Sequence, residues 1–88
     1  GMVTLEGTAN LPNNFWFYRL EIRPDFSNTF IELERVYRPV IADSLGTIDT
    51  TAYSSGLYWV RLMVVDSDWR YPPSNTCMIP VYFAPPLP

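Results

Sequence analysis

Eighty-eight residues, 48% of them hydrophobic and 16% aromatic, fit one small domain with its own core and set the chain apart from disordered compositions. The net charge is −3, lysine and histidine are absent, and six arginines at Arg19, Arg23, Arg35, Arg38, Arg61 and Arg70 are dispersed along the chain. No basic patch can form to neutralise a run of phosphates, so nucleic acid is not expected as a partner. Arg61 interrupts the longest apolar stretch well short of the roughly 20 residues of a span, so direct membrane insertion is not expected either.

In chain order, Gly1-Met2 read as a tag remnant or domain edge. Val3, Leu5 and Gly7 then alternate with Thr4, Glu6 and Thr8, a period of two that predicts a half-buried strand closed by the turn residues Asn10, Pro12, Asn13 and Asn14. Phe15 to Arg23 predicts a second strand, with Trp16, Tyr18, Leu20 and Ile22 facing in and Phe17, Arg19, Glu21 and Arg23 facing out. After the break at Pro24-Asp25-Phe26-Ser27-Asn28, Thr29 to Arg38 alternates with Ile31, Leu33, Arg35 and Tyr37 inward; the flanking prolines and β-branched residues favour strand over helix. Pro39 to Ala42 suits a short edge piece, Asp43-Ser44-Leu45-Gly46 a turn, and Thr47 to Thr51 a short strand anchored by Ile48. Ser54-Ser55-Gly56 makes a corner into the strongest strand, Leu57 to Asp66, with Tyr58, Val60, Leu62 and Val64 on one face. A loop over Ser67 to Asn75 leads to a last strand, Thr76 to Phe83, with Cys77, Ile79, Val81 and Phe83 inward.

About seven short strands with turn chemistry between them predict an all-β, two-sheet sandwich over residues 3–84, with a small barrel as the alternative and residues 85–88 as a proline-rich linker. Leu20, Ile22, Val60, Leu62, Val64, Ile79 and Val81 are the expected core. Tyr58, just after the corner, is placed to bury its ring and bond backbone across it.

The chain is poor in catalytic groups. Without histidine or lysine, chemistry would rest on carboxylates or on Cys77, and an inward Cys77 reads as a shielded structural thiol. Glu32 and Glu34 share one side of a strand by simple alternation, about 7 Å apart. A solvated strand face, however, lacks the cleft and the raised pKa that glycoside hydrolysis needs. Asp66-Ser67-Asp68 lacks calcium-loop spacing and reads as solvated turn acids. No catalytic residue, metal ligand or cofactor site is therefore assigned, and no enzyme activity is expected.

The aromatics are more informative. Alternation sends Phe17, Trp59 and Tyr82 outward, and Trp59, Met63, Met78 and Tyr82 on one outer face suggest a partner surface, unless long arginines such as Arg61 cover the rings. Phe26 in one loop, and Trp69, Arg70 and Tyr71 in another expected to meet it, suggest a glycan site. Trp69 and Tyr71 folded back as a cap over the core is the competing reading.

Gly7-Thr8-Ala9, Phe15-Trp16-Phe17-Tyr18-Arg19-Leu20-Glu21, Pro39-Val40, Leu45-Gly46-Thr47-Ile48-Asp49-Thr50-Thr51 and Gly56-Leu57-Tyr58-Trp59-Val60-Arg61-Leu62 with Val64-Val65-Asp66, in that order, resemble a family of bacterial immunoglobulin-like domains. Ile48 stands where that family usually has tryptophan, and Tyr53-Ser54-Ser55-Gly56 where it has Leu-Pro-Asp-Gly. The resemblance implies an immunoglobulin/fibronectin type III-like sandwich. It also implies a non-catalytic accessory domain, a spacer or protein-interaction module, in an extracellular or cell-envelope protein of bacteria. Such domains occur as appendages of penicillin-binding transglycosylases and large surface proteins. The implied partners are neighbouring domains of the same chain or another protein, with a carbohydrate-binding module as the alternative.

Overall fold

Alternating apolar and polar residues can only be satisfied in extended backbone, and the strands form where the alternation predicts them. The computed structural model describes residues 1–72 and 75–85. The strands are β1 (Met2–Ala9), β2 (Phe15–Pro24), β3 (Ile31–Val36), β4 (Val40–Asp49), β5 (Gly56–Asp66) and β6 (Thr76–Phe83), with one 3-10 turn at Thr50–Ala52. All pairings are antiparallel, in a two-stranded sheet β1-β4 and a four-stranded sheet β3-β2-β5-β6. The chain is thus all-β and sandwich-like, with six strands among the described residues. Pro86, Leu87 and Pro88, most of the expected linker, lie outside the described residues, and Met2 opens β1.

One strand is lost to the count because Val40–Ala42 of the expected edge piece, the expected turn Asp43–Gly46 and Thr47–Asp49 form the single strand β4. Bulges absorb the irregularity. Leu5 pairs with Gly46 and Glu6 with Ser44, leaving Leu45 as an extra residue, and Ala42 takes a left-handed φ of 48° at a second irregularity. A bulge bends and twists its strand without ending it, so turn-rich composition here does not turn the chain.

Two further bulges re-aim side chains. In β2, Phe15 pairs with Asp66 and Phe17 with Val65, so Trp16 is extra and leaves the inward face for the outer one, where it meets Phe17 and Trp69. In β3, Leu20 pairs with Glu34 and Glu21 with Glu32, so Leu33 is extra. Glu32 therefore faces out toward Arg35 and Arg19, whereas Glu34 faces in against Gly46; the two carboxylates do not share a side. Arg35 likewise faces out, over Phe17, instead of in.

Between the sheets, Tyr18, Leu20 and Val64 pack against Ala9, Val40 and Leu45. Ile22, Tyr58, Val60 and Phe83 pack against Ile48. The buried Tyr18 hydroxyl donates to the Leu45 carbonyl at 2.6 Å, tying β2 to the bulge of β4. Gly46 lets the sheets close, because a Cβ there would stand 2.8 Å from Leu20 Cδ1. Tyr58 acts as the expected corner, its hydroxyl donating to the Ser54 carbonyl at 2.8 Å beside Gly56, whose φ is +141°.

The expected core is wrong at the β6 side. Leu62 and Val81 are only half-buried, Ile79 is 44% exposed, and Cys77 is exposed rather than shielded. Two strands cannot cover four, and the overhang falls on these residues.

Candidate functional site

The outer face of the four-stranded sheet holds most of the unusual chemistry. Glu21, at its centre, is buried at 7% exposure and accepts from Arg61 Nε at 3.0 Å, with Arg19 Nε 3.6 Å away. Glu32 lies 3.8 Å from Arg19 and 2.9 Å from Arg35, so acids and arginines alternate across three strands. The Arg61 guanidinium lies 3.8 Å from the centre of the Phe30 ring, and that of Arg23 5.3 Å from it. These arginine stems cover apolar surface while their heads stay near water.

This cover removes two residues from the expected partner surface. Met63 is buried at 6% exposure beneath Arg19, whose Nη2 lies 3.0 Å from its sulfur. Trp59 is half-buried, its indole N–H donating to Asp25 at 2.8 Å with Arg23 alongside. Tyr82 and Met78 remain exposed at 67% and 47%. Phe17, expected outside, is fully buried: Trp16, Tyr37 and Trp69 ring it at 5.1, 5.4 and 5.9 Å, and Arg35 covers its face at 4.5 Å. An aromatic cluster thus closes one end of the outer face.

Asp66 builds the loop that brings Trp69 there. Its carboxylate accepts from the backbone N–H of Asp68 and of Arg70 at 2.9 Å each and from Arg70 Nε at 3.0 Å, while its carbonyl accepts from the Trp69 N–H. This holds Trp69 in a left-handed conformation, φ 62°, which costs a bulky residue about 1–3 kcal/mol. Edge-on packing on Trp16 at 4.4 Å offsets that cost. The Arg70 backbone N–H, more than burial can oppose, keeps the Asp66 carboxyl below the usual carboxylate range, with further help from Asp68 and the Arg70 side chain. An acid with a lowered pKa contributes stability above its unfolded pKa and loses it as pH falls through the folded value. The hold on the loop therefore weakens only as the pH falls below the ordinary carboxylate range. Asp66→Asn, which cannot accept from Arg70 in the same way, opens it at neutral pH. The expected result is a red shift of tryptophan emission with the far-ultraviolet circular dichroism unchanged; an emission spectrum identical to the parent's refutes it.

Trp69 and Tyr71 remain 58% and 51% exposed, beside Arg70, around an open cleft of about 540 Å³. Phe26, 92% exposed, does not join them. Phe15 pairs with Asp66 but Pro24 with Tyr58, so the two loops sit at opposite ends of β2, about 30 Å apart. Three strands, β3, β4 and β5, separate them, and an odd number of crossings ends at the opposite end, which spacing along the chain does not reveal. Trp69 does fold back, but over the outer aromatic cluster rather than the open end of the core.

Among the described residues no three histidine, cysteine, aspartate or glutamate side chains converge as metal ligands, and no helix is long and apolar enough to cross a membrane. The sequence pattern did not single out Glu21 or the Trp16 bulge. The signal for Glu21 was its pairing partner Arg61, a single charge in the row Trp59, Met63 and Val65. No known family model, curated protein or solved structure matches the chain.

Proposed function

We propose that this chain is a non-catalytic accessory domain of the immunoglobulin/fibronectin type III-like kind, an interaction module or spacer in a bacterial cell-envelope or extracellular protein. The observation that carries the reading is β6. This edge strand has no charged residue, and Met78, Ile79 and Tyr82 are exposed along it. Edge strands of isolated domains are usually blunted by charge, and exposed apolar rows mark contact with another surface. The buried acids support the absence of catalysis, since Glu21 is committed to Arg61 and Asp66 to its loop. The resemblance of the strand motifs to envelope Ig-like domains supplies the location.

In the parent protein, hydrogen exchange at Met78 and Tyr82 is expected to be slower than in the isolated domain, and cell fractionation to place the protein in the envelope or medium. Unchanged exchange together with a cytoplasmic location overturns the reading. The exposed Trp69 and Tyr71 rings favour one second reading, a carbohydrate-binding module. Quenching of tryptophan emission by peptidoglycan fragments that is lost in Tyr71→Ala supports it, and no response to any polysaccharide removes it.

A further inference from the structure

The two-stranded sheet leaves part of its partner uncovered. β4 lies over β3 and β2, where Leu45 meets Tyr18 and Gly46 meets Glu34, and β1 reaches no further than the middle of the sheet. Beyond β1 the inner face of β5 and β6 lies open as a trough. A cavity of about 210 Å³ lined by Leu5, Gly7, Leu62, Cys77 and Ile79 continues into one of about 180 Å³ through the shared Thr8, Leu62 and Cys77. Toward the other end Val3 and Val81, each two residues along its strand, line a third of about 550 Å³. The joined cavities run along β1 from Leu5 to Thr8 and along β6 from Thr76 to Ile79.

Its walls specify what fills it. β1 pairs only with β4, so its other edge presents backbone N–H and C=O groups with no ladder partner among the described residues. Such an edge accepts a strand, and strand addition draws affinity from main-chain bonds and selectivity from alternate side chains. A helix satisfies its own backbone and an acyl chain has none to offer, so either would leave the β1 edge unpaired. The floor is apolar: Ile79 is 44% exposed, Leu62 is half-buried, and β6 has no charge. The one charge on either wall is Glu6, which projects to the outer side of β1. Opposite charges paired across strands are favourable, so a fitting strand is uncharged on its inward residues and carries a cation beside Glu6.

We propose that the trough between β1 and β6 is an acceptor site for an extended segment of a partner polypeptide, apolar at alternate positions and basic opposite Glu6, which adds to the β1 edge and completes the core over Leu62, Cys77 and Ile79. The inference deepens the interaction-module reading and rests on it. A second copy of this chain fits poorly, because none of its edge strands offers net positive charge beside Glu6: β1 and β4 carry only acids, β6 carries no charge, and β3 carries two acids to one arginine.

Cys77, the single cysteine, lines the trough and is exposed, so its thiol reports occupancy directly. The probe is an eight-residue peptide, matched to the length of β1, alternating isoleucine and threonine with one threonine replaced by lysine. Controls are a scrambled peptide and one with aspartate for lysine. At about ten times its Kd the peptide slows maleimide labelling of Cys77 about tenfold and slows amide exchange along β1. The aspartate peptide protects less, the scrambled one does not protect, and Ile79→Arg, at an exposed position, abolishes protection with its circular dichroism intact. Labelling unaffected by the peptide, or slowed equally by the scrambled one, overturns the proposal. So does Cys77 protection that appears without peptide and rises with protein concentration, which assigns the trough to a second copy. Any of these leaves the interaction-module reading to its own readout, exchange at Met78 and Tyr82 on the opposite face.

Discussion

Phe17→Ala is expected to lower the unfolding free energy by about 3–5 kcal/mol in urea denaturation, although alternation assigns its side chain to the solvent side. Phe17 has no exposed surface, and its ring is enclosed by Trp16, Tyr37, Trp69 and the Arg35 guanidinium. Truncation removes the ring's burial and leaves a cavity that these neighbours fill only in part. The neighbouring ion pairs cannot compensate, since solvent-screened pairs such as Arg35–Glu32 contribute little. Trp69 should also lose its seat, so tryptophan emission of the native variant shifts to the red. A loss below about 1 kcal/mol, within the range of an ordinary surface substitution, would show that the outer face is wet at Phe17 and that the aromatic cluster is not a second core.

Ile48→Ala is expected to cost about 2–5 kcal/mol, from the opposite sheet. Ile48 is 2% exposed and packs with Ile22, Tyr58, Val60 and Phe83, so it joins β4 to three strands of the facing sheet. It stands beside the end of β1, where Val3 pairs with it. With only two strands in its sheet, each inward residue of β4 carries a larger share of the inter-sheet contact than it would in a broader layer. Thermal denaturation of the variant checks this, and a midpoint within about 1 °C of the parent refutes it, because 1 kcal/mol moves a domain of this size by about 4–8 °C. Leu62→Ala is the useful contrast. Half-buried at the floor of the trough, Leu62 should cost less than Ile48 in the isolated chain.

Much of this chain was legible before its structure. Alternation located β1, β2, β5 and β6 nearly to the residue, the inward positions of β2 from Tyr18 on are the buried ones, and the glycine before Tyr58 marked a corner. Those features depend on local backbone geometry and on a period of two, which the sequence carries in itself. Bulges are a different matter. One extra residue at Trp16, Leu33 or Leu45 shifts every later side chain to the other face, and whether a residue is extra depends on what the neighbouring strand offers. Hence Trp16 leaves the inward face and Glu32 and Glu34 part company, whereas Phe17 and Met63 keep their outer face and are buried by the rings and arginine stems that cover it.

The location of ends and edges was likewise beyond local reasoning. Phe26 and Trp69 lie in loops that look equivalent along the chain, yet strand pairing sends them to opposite ends of β2. Cys77 and Ile79 hold inward positions, as their alternation demands, but inward means buried only where another layer lies above. The number of strands in the facing sheet is set by tertiary pairing, and here it leaves two strands to cover four. Sequence by itself determined most of the strands and, between bulges, which side chains share a face. Tertiary structure alone decided which faces are covered, because coverage is a property of two sheets and periodicity is a property of one strand.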